Sequence, residues 1–149
     1  MRVKSKVCFA LILGLTLTGV ATAQSKPSQT EANKKLVLDF FRVVFEAEKL
    51  DAAKDYLAED YIQHNPRVPT GREGFVRYFK TIFHEPKPVQ PTLRIAPMAV
   101  VAEGDLVTLI WKSTLPDPAD KSKTYDTFEF DMFRIQNGRL AEHWDGATK

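Results

Sequence analysis

The chain reads as an α+β protein in which helices come first and pack on one face of a curved antiparallel sheet built from the second half. Three observations predict this. Residues 36–45 and 70–83 place apolar side chains at three- and four-residue spacing, the one-sided stripe of a surface helix. Residues 93–145 are instead rich in β-branched and aromatic side chains and are broken by Glu103-Gly104-Asp105 and Asn137-Gly138, which are hairpin punctuation. Between the halves, Pro86, Pro88 and Pro91 exclude helix and make a stiff connector. No internal repeat or second domain interrupts the pattern.

The first element is a leader. Arg2, Lys4 and Lys6 precede an apolar run over residues 7–20, and Ala21-Thr22-Ala23 stands before Gln24. This is the layout of a secretory signal peptide, with cleavage expected after Ala23 and a periplasmic or secreted product; an uncleaved anchor is the alternative reading. Residues 24–29 are then a flexible lead-in and residues 30–149 one domain. Removal of the three leader bases leaves 18 Lys+Arg against 19 Asp+Glu, a net −1. Nothing in that balance argues for nucleic acid, or for a membrane surface once the leader is gone. Cys8, the single cysteine, also lies in the leader, so the mature domain has no disulfide and no thiolate ligand. Its 126 residues must be held by their core.

In the helical half, Leu36, Val37, Phe40, Phe41, Val44 and Phe45 make the first stripe, with Ser28 or Thr30 as its cap. A short second helix is expected from Asp51 as N-cap, with Ala53, Tyr56 and Leu57 on one face. Thr70-Gly71-Arg72-Glu73 has capping-box spacing, and Phe75, Phe79, Ile82 and Phe83 supply the third helix with a buried stripe. Four strands come next, over residues 93–102, 106–114, 125–135 and 140–145. An exposed outer face of their sheet would suit a homodimer.

The candidate site residues fall in three segments. Tyr61-Ile62-Gln63-His64-Asn65-Pro66 is a short, Pro-terminated stretch between helical patterns, and its histidine can accept and donate a proton near neutral pH. The structural alternative is that His64 caps or packs the turn. On the third strand Asp131 lies among apolar neighbours, where burial favours a neutral acid, although an ordinary ion pair would explain it too. Glu129 reads as a solvated strand acid. On the last strand His143 and Asp145 alternate onto one face while Glu142 and Trp144 take the other. His64, Asp131, His143 and Asp145 also form the competing metal reading, but none of the recognised ligand spacings is present, and neither metal nor organic cofactor is expected. Register decides the partners of Asp131. A strict Asn137-Gly138 turn sets it opposite Trp144, whereas one extra loop residue or a bulge sets it opposite His143.

These residues resemble the SnoaL-like polyketide cyclases and SnoaL-like aldol-condensation enzymes of the nuclear-transport-factor-2-like superfamily. The resemblance runs from about Thr30 to Gly146. It rests on the first stripe, on Tyr61 to Pro66, on Gly71-Arg72-Glu73-Gly74-Phe75, on Phe130-Asp131-Met132-Phe133-Arg134-Ile135, and on Gly138-Arg139-Leu140-Ala141-Glu142-His143-Trp144-Asp145. It implies a cone-shaped, cystatin-like α+β fold, with three N-terminal helices closing a strongly bent antiparallel sheet around a deep apolar pocket. It also implies cofactor-free acid/base chemistry, with Asp145 at the position of the cyclases' acid/base aspartate. Asp131-Met132-Phe133-Arg134 is similar to the strand that carries the oxyanion-stabilising acid of related steroid isomerases. Asn65 stands where those isomerases carry their base; an amide cannot take up a proton, which turns attention to His64.

The expected reaction is therefore proton removal beside a carbonyl by His64 or the His143/Asp145 pair, with Asp131 and Asn65 donating hydrogen bonds to the enolate oxygen. Tyr61, Phe41, Phe45, Phe79, Trp111 and Phe133 are the expected walls for a small hydrophobic molecule. A non-catalytic, exported binding module with the same pocket is the alternative.

Overall fold

The computed structural model describes residues 28–148. The leader and most of the lead-in expected before the domain lie outside them.

The first stripe forms α1, Gln29–Phe40, whose N-cap Ser28 accepts a hydrogen bond from the Glu31 amide. The helix does not stop at Phe40. It widens into a π-helical turn, Phe41–Glu46, in which the Ala47 amide reaches back five residues to the Arg42 carbonyl. Val37, Phe40 and Val44 are fully or almost fully buried along this rod. Each such side chain is worth about 1.5–3 kcal/mol in removed apolar surface, which is what fixes the rod on the sheet.

The next helix starts differently from expectation. Asp51 sits inside a 3-10 turn, Leu50–Ala52, that leads into α2, Ala53–Tyr56, and no side chain caps that helix. The 70–73 capping box does not form either. Gly71, at φ 86°, is the N-cap of α3, Arg72–Phe79, while the Thr70 hydroxyl turns back to accept from the Gln63 amide and donate to the Gln63 carbonyl. A threonine cannot serve both the helix and the strand, and the strand has it. Phe75 is buried in the core as expected, but Ile82 lies beyond the end of α3 and is exposed.

The Tyr61 segment is a strand. β1, Leu57–Gln63, runs parallel to β5, Arg139–Trp144, at one edge of a five-stranded sheet ordered β1-β5-β4-β3-β2. The sheet is mixed rather than wholly antiparallel because of this single pair. β2, Ala99–Glu103, is shorter than expected; β3, Leu106–Pro116, and β4, Thr124–Gln136, form the long central hairpin. The loop after β1 folds back along the open edge, through Gly71 N–H to Tyr61 C=O at 2.7 Å and the two Thr70 bonds, so that edge is not left bare.

The helices and the inner sheet face enclose an aromatic core. Phe40 is its hub, within 6.0 Å of the rings of Phe41, Phe45, Tyr56, Phe75 and Phe133. On the outer face Ile62, Val101, Phe128 and Phe130 stay exposed. No helix among the described residues is long and apolar enough to cross a membrane.

Candidate active site

Two local irregularities aim the site. The β4–β5 ladder begins with Gln136 opposite Arg139 and Ile135 opposite Leu140, but beyond them Arg134 faces Glu142, Phe133 faces His143 and Met132 faces Trp144. Ala141 is the residue skipped, a bulge in β5 that shifts the register by one. Asp131 is therefore opposite neither Trp144 nor His143. It reaches His143 diagonally, Oδ1 to Nε2 at 3.0 Å. The other irregularity is the π-turn, which brings Phe41 and Phe45 together as a stack at 5.0 Å that lines the same space.

That space is a cavity of about 190 Å³. Phe40, Phe41, Phe45, Phe75, Phe79, Phe133 and Val68 form its apolar wall, and Tyr61, Gln63, Asn65, Asp131, His143 and Asp145 its polar one. Of the expected residues, Tyr61, Asn65, Phe41, Phe45, Phe79, Phe133, Asp131, His143 and Asp145 are gathered here. Two are not. Trp111 lies behind the wall, against Phe41, with its indole N–H donating to Asp131 Oδ2 at 2.6 Å.

His64 is on the far side of the sheet. Its ring stacks on Trp144 at 5.2 Å and 7°, and its Nε2 meets Glu142 Oε1 at 2.8 Å. Arg134 completes that outer cluster, bonding to Glu142 and Asp105 and lying over the Trp144 ring. The reason is the two-residue period of a strand: Tyr61, Gln63 and Asn65 point inward, so Ile62 and His64 point outward. His64 packs the sheet, and the residue that enters the cavity in its place is Gln63.

Gln63 decides the protonation of the inner cluster. Its Oε1 accepts from the Asn65 backbone N–H at 2.9 Å, and a backbone amide can only donate, so the amide orientation is fixed. The same oxygen lies 2.7 Å from His143 Nδ1, which must therefore carry a hydrogen. Nε2 then faces Asp131 with one proton between them, and the pair is either imidazole with acid or imidazolium with carboxylate. With the indole on its other oxygen, Asp131 has both oxygens engaged inside the protein and is not a free donor to a bound molecule.

The remaining groups are less committed. Asn65 Oδ1 accepts from the Arg67 amide, which turns its Nδ2 toward Asp145 Oδ2 at 2.7 Å; Asp145 Oδ1 accepts from the Ala147 amide at 2.9 Å. Asp145 receives two N–H groups and donates none, so it stands as a carboxylate with lone pairs to spare. The Tyr61 residue is only 1% exposed, and its hydroxyl has no hydrogen-bond partner among the described residues; since no fully buried side-chain N or O atom there lacks a partner, the hydroxyl itself is not sealed off. Burial, and then the charges of Asp131 and Asp145, push its pKa far above the ordinary value, so it is a donor and not a base at any working pH.

The SnoaL-like domain model matches residues 37–143, most of the chain and all of the strands just described but for the last residue of β5. The chain belongs to the SnoaL-like family. Solved structures agree on the fold. A protein described as a polyketide cyclase from Acidithiobacillus ferrooxidans is 21% identical, with 80% of this chain and 89% of that one covered and a TM-score of 0.53. A SnoaL-like polyketide cyclase from Jannaschia sp. CCS1 gives 18%, 83%, 92% and 0.55 in the same terms. An epoxide hydrolase of M. tuberculosis, described as LEH-like, gives 14%, 80%, 81% and 0.55. At these identities the likeness is one of fold. No curated protein matches the chain. The SnoaL-like fold is the nuclear-transport-factor-2-like arrangement expected from the sequence, with three helices on a five-stranded mixed sheet.

Proposed function

We propose that this SnoaL-like protein is an exported enzyme that carries out acid/base chemistry on a small hydrophobic carbonyl compound, as in aldol condensation, cyclisation or isomerisation, with no organic cofactor. The observation that carries the reading is the Tyr61 hydroxyl, which has no hydrogen-bond partner among the described residues and belongs to a side chain that lines the same cavity as the Asp145 carboxylate. Asp145 takes the proton beside the carbonyl. Tyr61, and the second N–H of Asn65, donate to the oxygen as it gains charge, in a space walled by phenylalanines that weakens dielectric screening. His143 and Asp131, sharing one proton, add a polar wall of fixed orientation and are not the base. The cavity is smaller than the roughly 300–1,000 Å³ of sites for drug-sized molecules, which favours a compact substrate.

The same aromatic wall supports a second reading, a module that holds a small apolar molecule without changing it. One experiment separates the two. Small ketones are incubated with the protein in D2O, and exchange of the hydrogens beside the carbonyl is followed by NMR. The enzyme reading expects exchange above the buffer rate, reduced about 10²–10⁴-fold in Asp145→Asn. Ligand-induced shifts in the cavity resonances with exchange at the buffer rate would establish the binding module.

A further inference from the structure

The inner cluster has the makings of a cation site. Asp131, His143 and Asp145 each offer one ligand atom, and the three atoms lie within 4.8 Å of one another. Bonds of about 2.0–2.2 Å to an imidazole nitrogen and carboxylate oxygens bring donors roughly 3–4 Å apart, so a small rotation of the side chains closes the set.

What distinguishes this cluster from a surface group of acids is the way each donor is held from behind. Gln63 takes the Nδ1 hydrogen of His143 and leaves Nε2 facing inward. The Trp111 indole holds Asp131 through Oδ2 and leaves Oδ1. Asn65 and the Ala147 amide orient Asp145. Outer hydrogen bonds of this kind are what fix the tautomer and direction of metal-binding side chains.

Charge points the same way. Two carboxylates and one imidazole face a cavity lined besides by aromatic rings, Val68, Gln63 and Asn65, with no Lys or Arg among its lining residues. The Tyr61 side chain is a second sign of an occupant: the residue is 1% exposed, and its hydroxyl, unpartnered among the described residues and not itself sealed off, belongs to the wall of this cavity, where it can bond an oxygen held there.

We propose that Asp131, His143 and Asp145 bind one divalent transition-metal ion, of the zinc or manganese class that one imidazole and two carboxylates suit. The ion takes the place of the shared proton. A water or a ligand oxygen completes its coordination and accepts the Tyr61 hydrogen bond. This goes beyond the acid/base reading and does not depend on it: with Asp145 ligated, the metal-bound form and the form with a free base are alternative states of one cavity.

The test uses tag-free protein stripped with a chelator and titrated calorimetrically with Zn²⁺ and Mn²⁺, and separately with Co²⁺ while its visible absorption is recorded. One-to-one binding is expected. Affinity should fall at least 10-fold in His143→Ala and in the near-isosteric Asp145→Asn, and about 10–100-fold in Gln63→Leu through loss of the outer hydrogen bond. His64→Ala, on the far face, should bind like the wild type. The Co²⁺ spectrum should report nitrogen and oxygen ligation that His143→Ala removes, while circular dichroism confirms that the variants are folded. Absence of one-to-one binding, binding that survives Asp145→Asn in a folded protein, or binding lost in His64→Ala would each overturn the proposal.

Discussion

Replacing Gln63 by Leu tests the hydrogen-bond logic of the cavity without any knowledge of the substrate. Leucine fills nearly the same volume but removes the carbonyl that serves two donors, the Asn65 backbone N–H and His143 Nδ1–H. Both donors then lack a partner, and His143 is only 7% exposed, so water cannot easily replace the lost acceptor. At about 1–3 kcal/mol for each orphaned donor, with the Asn65 amide nearer the rim and at the low end, the expected loss is about 2–4 kcal/mol. For a domain of this size that is roughly 8–16 °C in Tm. Urea denaturation measures the loss, and long-range ¹⁵N–¹H NMR of the imidazole reads the tautomer. The wild type should show a protonated Nδ1. In the variant that preference should weaken, a change that general destabilisation would not produce. A loss below about 1 kcal/mol with the His143 signature unchanged would mean that Gln63 does not set the tautomer, and the assignment of a shared proton to Asp131 and His143 would go with it.

The same geometry fixes three further outcomes. Tyr61→Phe removes a hydroxyl that bonds to nothing among the described residues, so denaturation should show a change within about 0.5 kcal/mol, whereas ketone exchange should fall about 10²-fold. His64→Ala loses the Trp144 stack and the Glu142 bond and should cost about 0.5–1.5 kcal/mol by urea titration, with exchange activity unaltered. Glu142 titrates below the ordinary glutamate range, held down by its hydrogen bond to His64 and then by Arg134. A depressed carboxyl contributes stability that is present above its unfolded pKa and lost as pH falls through the folded one. Tm should therefore drop more steeply below about pH 4.5 in the wild type than in Glu142→Gln, and parallel curves would refute the pairing.

The elements readable in the sequence are those with a local cause. The stripe from Leu36 to Phe45 and the turn at Asn137-Gly138 are written in spacing and in turn chemistry, and the described structure has a helix and a hairpin there. β1 is not readable in that way. Its partner is β5, about eighty residues away and parallel, so nothing near Tyr61 announces a strand, and Glu59-Asp60 at its centre look like the end of a helix. The expectation for His64 fails from the same source. Once Leu57–Gln63 is taken as a strand, Tyr61, Gln63 and Asn65 share one face and His64 the other, by period alone. The signal is in the sequence, but only the pairing says which period applies. Asp51 and Thr70 fail for a related reason. Both have good capping chemistry, and each is overruled by a neighbouring demand, for a tighter turn in one case and an edge-strand partner in the other.

The bulge at Ala141 joins these points to the chemistry. Leu140 is fully buried and points inward opposite Ile135. In an unbroken strand the alternation starting from Leu140 would send Glu142 and Trp144 into the core and turn His143 and Asp145 out to solvent. Both halves of that arrangement are unfavourable: an unpaired carboxylate would meet the ring of Phe133, and the outer face would lose the indole on which His64 and Arg134 lie. One extra residue reverses the alternation after the hairpin has been closed by its apolar pair. The turn-proximal end of β5 therefore obeys core packing while its far end presents an imidazole and a carboxylate to the cavity. A two-residue Asn-Gly turn with alternating polarity cannot encode both, because each fixes the parity of the strand in the opposite sense. Tertiary contacts from β1 settle the matter: with Ile62 paired to Glu142 and Gln63 to His143, the strand that supplies the tautomer-setting amide is also the one that holds β5 in its shifted register.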